Sequence, residues 1–544
     1  MKKILYFFLG SLILFLSSCA KDFLETEPLT SKTDGNYYKT PQEAQDALTG
    51  CYDALQLIYS DGVAFPLASE VMSDQCFGGT GYGDSDDYAM LDEFDVSVNS
   101  GSQNIYEKNW ANYYKGIFRV NSLITHLDGV EWGSQSSLRG TIESEARFLR
   151  AYFYFDMVRL WERVPLLTAP TSDNVPQASA DETYALIASD LLFAIKNGRT
   201  ETYSQIATTD YGHANKWAAE SLLARVFLFY TGYYGKSDLV GLVSKDEALA
   251  YLEDVIANSG HDLVSNYADL WPAASTYEAA QNGLPITSTT YAGETNKEVL
   301  FSIKYTYTSD YNGNTDGNHW LVMNGLRKMA WKNSGYGSGW GACTVIPSFY
   351  KTWSSTDKRK ASSIMAIKEE GINYTQIKDM KEYTGYFTKK YIPLCDENGN
   401  STAEMLGGVS FMISQYQDFF VMRYADVLLM AAELGSPNAL GYVNQVRTRA
   451  GLDAATSVDK DVIYQERKYE FAFEGIRYWD LLRYDNSLQY ASDKLSLSEK
   501  VLTGGIEDQK VIQGTIFKTT RGLSQIPGNQ ITLSGGVYTQ NPGW

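Results

Sequence analysis

The sequence predicts a mainly α-helical protein: a helical-repeat body of tetratricopeptide-like pairs, interrupted by a loop-rich insertion containing short strands. Three observations predict it. Apolar residues recur on a 3–4 spacing through most of the first 260 residues, the period of an amphipathic helix. The same spacing returns after residue 416. Between 261 and 415 the texture changes to Gly, Asn, Ser, Thr and Tyr, with short alternating runs such as Val299–Tyr305.

The elements follow in order. Pro41 suits a first helical position, and Ala44, Ala47, Leu48, Tyr52, Leu55 and Ile58 carry that helix onward. Long helical patterns follow over 103–128 and 136–161. The second is apolar on nearly every face, which predicts burial against several neighbours. Val164-Pro165 ends it, because a residue before proline avoids the helical region. Asp181 opens a helix to about Ile195, and patterns over 214–230 and 245–258 follow. Ala218, Ala219 and Ala224 let neighbouring backbones approach closely. Helix pairs of roughly 30–40 residues with small residues inside are the signature of stacked helical repeats. Helical order returns at 420–433 and 439–450, the latter closed by Gly451, then over 461–475 and on to about 484. Residues 486–544 read as irregular. Helices on both sides of 261–415 point to a single domain over 41–544, with that insertion packed on the body.

The amino end carries its own signal. Lys2 and Lys3 precede an apolar run from Ile4 to Leu16, followed by Leu16-Ser17-Ser18-Cys19. This is the pattern of an export leader, and small residues before a cysteine read as a bacterial lipobox. Residues 1–18 are then the signal peptide, Cys19 the lipid attachment point, and 19–40 a tether. Acyl chains at about 0.8 kcal/mol per buried methylene give a stable anchor. The net charge of −19 repels nucleic acid and anionic head groups. Cys51, Cys76, Cys343 and Cys395 match no zinc pattern and read as small core thiols, with a Cys51–Cys76 bridge as the alternative. His126, His213, His261 and His319 are scattered, against a histidine metal site.

Several ordered motifs resemble one family. They are Lys21-Asp22-Phe23-Leu24 after the lipobox, Ala146-Arg147-Phe148-Leu149-Arg150-Ala151-Tyr152, and Leu160-Trp161 to Pro165-Leu166. Next come Arg423-Tyr424-Ala425-Asp426 to Glu433, then Asn444 to Leu452 with Arg447 and Arg449. Glu466-Arg467 to Leu481 and the terminal Gln540-Asn541-Pro542-Gly543-Trp544 complete the set. In this order the chain resembles SusD/RagB proteins, outer-membrane nutrient-binding lipoproteins. The resemblance implies four tetratricopeptide-like helix pairs, attachment to the outer membrane through the lipid anchor, and display at the cell exterior. It also implies a TonB-dependent β-barrel importer as partner, over which the protein closes with its captured nutrient. Asp22 is the single acid directly after Lys21 where the family's surface-export signal falls. Residues 260–415 match weakly, so ligand specificity is expected there.

The charged motifs read as structural. Glu466, Glu470, Glu474 and Asp480 interleave with Arg467, Arg477 and Arg483. A glycosidase needs two carboxylates facing one cleft, one with a raised pKa. Arginines beside a carboxylate do the opposite. No phosphate loop, Rossmann fingerprint, nucleophile elbow or zinc-protease motif is present, and no cofactor is expected. The acidic stretch Gly83–Glu93 lacks the ligand spacing and glycine of an EF-hand and reads as a solvated loop, with calcium as the alternative.

The 74 aromatic rings are the unusual part of the composition. Rings in glycine-rich loops are the functional candidates, since loops lie at the surface. Tyr82, Trp320, Trp331, Tyr336 and Trp340 are expected to stack on sugar rings, with Asp84, Asp86 and Asn318 bonding hydroxyls. Trp110, Trp161, Trp217 and Trp479 fall on helices and are assigned to the core, as is Trp271. Together these readings predict a glycan-binding surface lipoprotein that does not cut its ligand. The alternatives are a secreted helical glycoside hydrolase or lyase, a carrier of peptides or other nutrients for the same importer, and a structural partner of the barrel.

Overall fold

A computed structural model describes residues 37–60, 65–275, 277–278, 287–288, 290–314, 316–328, 335–396 and 398–544. Helices α1 (Pro41–Ser60), α2 (Phe65–Val71), α3 (Asp87–Asp92), α4 (Glu107–His126), α5 (Ser136–Trp161), α6 (Ala180–Asn197), α7 (Lys216–Tyr234) and α8 (Lys245–Asn258) occupy the first half. The second half contributes α9 (His319–Asn324), α10 (Tyr424–Glu433), α11 (Ala439–Arg449), α12 (Lys460–Glu470) and α13 (Arg477–Arg483), with further short helices. The pairs α1/α4, α5/α6, α7/α8 and α10/α11 pack extensively and form the repeat body. Local chemistry sets their ends. Reciprocal capping boxes open α6 (Ser179 with Glu182) and α8 (Ser244 with Glu247), satisfying orphan amides. Asn215 caps α7, and Gly235 closes it in the left-handed region at φ +65°.

Helix α5 is the axis of the body. From Ile142 onward nearly every side chain is buried, as its all-round apolarity requires. Trp161, Trp110, Trp217, Trp271 and Trp479 all lie in the core.

Strands β1 (Cys76–Gly79), β2 (Val299–Ile303), β3 (Ala342–Val345), β4 (Ile364–Ala366), β5 (Tyr386–Thr388), β6 (Phe419–Arg423), β7 (Leu497–Thr503) and β8 (Ile506–Ile512) are short. A four-stranded sheet runs in the order β1-β3-β5-β4, so the insertion pairs with the strand that follows α2. β6 pairs antiparallel with β2, from Phe419 opposite Ile303 to Arg423 opposite Val299. Two expectations are corrected. Residues 420–423 are strand rather than helix, because their continuous apolar run fits a fully buried strand equally well. The terminal segment is not irregular throughout: β7 and β8 form a hairpin around Gly504-Gly505, and Gln489–Leu495 and Gly514–Thr520 are helical.

A buried ion network ties the insertion to the body. Arg423 bonds Glu298, Glu470 and Glu474; Arg449 bonds Glu298 and Glu470; Arg359 bonds Asp357, Glu466 and Glu470. Lys390 reaches Glu474 at 2.6 Å, and Arg447 reaches Glu466 at 3.0 Å. Burial alone raises the pKa of Glu470, but Arg449, Arg423 and Arg359 hold it well below the carboxylate range. Glu466, Glu470 and Glu474 are thus packing elements. Cys51, Cys76, Cys343 and Cys395 are buried, and Cys51 and Cys76 are not joined, so the alternative Cys51–Cys76 bridge is not formed.

Candidate functional site

The loop after β1 carries Gly78-Gly79-Thr80-Gly81-Tyr82-Gly83-Asp84. Backbone pairing fixes it: the Thr80 amide donates to Gly341 O at 3.0 Å, and the Tyr82 amide to Asp379 O at 3.0 Å. The Lys381 amide returns a bond to Thr80 O at 3.0 Å. The segment after Asp379 in turn holds the hairpin, since Tyr383 and Leu502 exchange both backbone bonds and the Gly504 amide donates to Met380 O at 2.9 Å. Three stretches far apart in sequence therefore make one wall.

Tyr82 is 56% exposed, although its ring lies on the hairpin turn. A Cβ at Gly504 would come within 2.8 Å of Tyr82 Cε2 and 3.0 Å of Cζ, so the ring rests directly on glycine backbone. Gly504 has φ +61°, where a side chain is strained. Gly81 is equally constrained: its missing Cβ leaves room for the Arg327 guanidinium, whose Cζ would lie 2.1 Å away.

Charges position the loop. Arg327 pairs with Asp84 at 3.2 Å and Asp379 at 3.1 Å, and Asp84 also accepts the Gly81 amide at 2.8 Å. Lys381 pairs with Asp86 at 2.6 Å and donates to the Ser85 carbonyl. Lys328 and Arg327 hold the Asp379 carboxyl below its usual range. Beyond Tyr82, Asp84 and Asp86 the cleft widens to about 680 Å³, between α3 and the β7–β8 hairpin. That is within the span of small-ligand sites, roughly 300–1,000 Å³.

Glu93 and Glu382 line the cleft, and with Asp92 buried behind them they form a grouping close enough to share a metal ion. Lys510 from β8 stands among them, 2.8 Å from Asp92, 2.6 Å from Glu93 and 2.7 Å from Glu382. Burial lowers the Lys510 pKa, but the three carboxylates overcome it and hold the ammonium above the usual lysine range. The Lys510 ammonium already occupies the space among these carboxylates, and Asp84 and Asp86 are ion-paired. The donor set does not fit calcium.

The remaining expected site residues lie elsewhere. Trp320 is corrected: it is 2% exposed, edge-on to Tyr391 and Phe419, with no free face for a ligand. Asn318 is corrected too. Its Oδ1 caps α9 at the Trp320 amide (3.0 Å), its Nδ2 donates to Gln417 O (2.7 Å), and it is buried. Tyr336 is 7% exposed and donates its hydroxyl to Glu370 at 2.9 Å, so it pins the insertion to itself. Trp340 is half-buried against His319, with ring centroids 4.6 Å apart. Trp331 and Cys19 lie outside the described residues. Sequence reasoning missed Arg327, Lys381, Lys510 and Gly504. Only the last carried a signal: Gly-Gly between alternating runs marks a hairpin.

A helical-repeat body with a ring-bearing surface cleft is the architecture of a binding protein. The comparisons identify its kind. A family model described as "SusD family" matches residues 297–544, and one described as "Starch-binding associating with outer membrane" matches 66–228. The chain belongs to the SusD/RagB family. A SusD-like protein of Bacteroides ovatus is 25% identical over 89% of this chain and 82% of its own length. Among solved structures, the surface glycan-binding protein A from Bacteroides thetaiotaomicron in complex with laminarihexaose aligns with a TM-score of 0.72 at 22% identity, covering 92% of this chain and 100% of that one. At that identity the likeness speaks for the fold alone. A laminarin-binding SusD-like protein aligns at 0.67 and 25% identity, covering 93% and 100%.

Proposed function

We propose that the protein is a glycan-binding lipoprotein of the outer membrane, anchored at Cys19 and facing the cell exterior. It captures oligosaccharide or polysaccharide in the Tyr82 cleft and delivers it to a TonB-dependent β-barrel importer. The observation that carries the reading is the Tyr82 ring, seated on Gly504 with its other side open to a cleft rimmed by hydrogen-bonding groups. An aromatic face meets the apolar C–H face of a sugar, while charged and amide groups bond its hydroxyls. Family membership and the glycan ligands of the similar proteins support the same reading. No described helix is long and apolar enough to cross a membrane.

The reading is of a binder rather than a hydrolase. Asp84 and Asp86 are held by cations, and Asp92, which burial drives toward its neutral form, is 1% exposed and out of a ligand's reach. The test is affinity electrophoresis of the mature protein through gels containing laminarin, starch and other polysaccharides. Tyr82→Ala is expected to weaken retention about tenfold, as loss of one stacking face should, with an unchanged melting curve. Unaltered retention refutes the cleft. Release of reducing ends by the purified protein refutes the non-catalytic reading.

A further inference from the structure

A second cavity, of about 340 Å³, opens between α1 and the connection from α6 to α7, and shares no lining residue with the Tyr82 cleft. Its walls come from Gln56 and Asp53 of α1, Tyr211 and His213 of the connection, and Asp316 beyond β2. We propose that this cavity is a second saccharide site, taking one or two neutral sugar units. The inference rests on the reading of the protein as a glycan binder.

The cavity is built around a buried anchor. Glu145 of α5 is 1% exposed. It accepts the Tyr52 hydroxyl at 2.8 Å and bonds His213 Nδ1 at 2.6 Å, while Arg199 stands 3.3 Å from its other oxygen. The Tyr52 hydroxyl in turn accepts the Ala214 amide at 2.8 Å. The imidazole is thereby fixed by its Nδ1, and its Nε2 bonds no partner among the described residues, on a side chain 30% exposed at the cavity wall. A surface histidine meant only for solubility has no need of a buried carboxylate.

The surrounding groups define the ligand. Gln56 spends its amide N–H on Lys304 O, leaving Oε1 open. Asp53 is paired with Arg119, whereas Asp316 meets no cation among the described residues. Burial, and then the nearby Asp53, raise the Asp316 carboxyl above its ordinary value. Gln56 Oε1 and the two carboxylates are acceptors, so the complementary ligand is rich in hydroxyl donors. Lys304 also lines the cavity but is paired with Asp418, so the two carboxylates disfavour uronates and sulfated sugars. Tyr211 is half-buried at the wall. A ring beside open acceptors at this volume matches a small, mostly pre-formed site for a polyhydroxyl ligand.

The experiment is calorimetric titration of the full mature chain with maltose, cellobiose, laminaribiose and galacturonate. It compares wild type, Tyr82→Ala, Asp316→Ala/Tyr211→Ala, and all three substitutions together, each first checked for an unchanged melting curve. The inference expects a neutral disaccharide to keep binding to Tyr82→Ala, to weaken at least tenfold when Asp316→Ala/Tyr211→Ala is added, and to bind at least tenfold more tightly than galacturonate. If Tyr82→Ala alone abolishes binding and the cavity variant matches wild type, the second site is overturned while the cleft stands. If only the cavity variant loses binding, the cleft is overturned and the cavity stands. Equal affinity for galacturonate at the cavity overturns the inference, and no binding of any probe to wild type overturns both.

Discussion

Replacing Arg423 with Met tests what holds the insertion to the helical body. Arg423 is 1% exposed and bonds Glu474 at 2.7 and 2.8 Å, Glu470 at 3.0 Å, the Glu470 carbonyl at 3.2 Å, and Glu298. The surrounding network matches Glu298, Asp357, Glu466, Glu470 and Glu474 against Arg359, Lys390, Arg423, Arg447 and Arg449. Methionine fills similar space but leaves one negative charge in excess. Removing one partner of a buried pair costs about 3–5 kcal/mol, because the survivors stay desolvated. Urea unfolding should therefore show Arg423→Met lower in midpoint by that amount at unchanged slope. Adding Glu474→Gln removes the excess charge and should recover about 1–2 kcal/mol, the coupling typical of residues within one network. A loss below about 1 kcal/mol, or a double variant no more stable than the single, would refute the assignment of the network as the insertion's fastening.

Four further outcomes follow from the same geometry. Glu70 is fully buried and burial pushes its carboxyl up to about 8 from an ordinary value near 4.5. The folded state holds that proton while the unfolded state releases it, so stability falls as pH rises through this window. Glu70→Gln should gain about 3–4 kcal/mol at pH 7.5 and nothing below pH 4.5, read by urea midpoints across pH. Gly504→Ala, forced into the left-handed region against Tyr82, should cost about 1–2 kcal/mol and weaken polysaccharide retention in parallel with Tyr82→Ala; retention equal to wild type contradicts the ring's seat. Trp320→Ala should destabilise by about 3–5 kcal/mol, as truncation of a core aromatic does, and full stability with lost binding would restore Trp320 to the site. Cys51, Cys76, Cys343 and Cys395 should resist iodoacetamide in the native protein and all react after unfolding, since burial also pushes the Cys51 thiol up to about 12; rapid native labelling counts against their burial.

Local chemistry made much of the body legible. Ser136–Trp161 and Lys245–Asn258 begin and end where the apolar period places them, and Ser244 with Glu247 caps the second. Glu466, Glu470 and Glu474 were readable as ion-paired, but their partners Arg359, Lys390, Arg423, Arg447 and Arg449 come from remote segments rather than from the neighbouring Arg467, Arg477 and Arg483. The hairpin of β7 and β8 was legible in principle from Gly504-Gly505, but polar strands with little burial hide the alternation that announces a strand. The run at Phe420 was ambiguous because a buried strand and a buried helix share the same apolar composition.

The candidate site divides differently. Glycine-rich surroundings made Tyr82, Trp320, Tyr336 and Trp340 look alike, yet only Tyr82 stands open. What separates them is the surface each meets: Tyr391 and Phe419 close over Trp320, while the Gly504 turn supports Tyr82 from one side. Periodicity and caps act within one or two helical turns, so the chain's own order determined the repeat body and its core tryptophans. Exposure of a loop ring, the partner of an acid such as Asp86 or Asp92, and the joining of Gly81, Lys381 and Gly504 into one wall depend on segments remote along the chain. Only packing in three dimensions decided those.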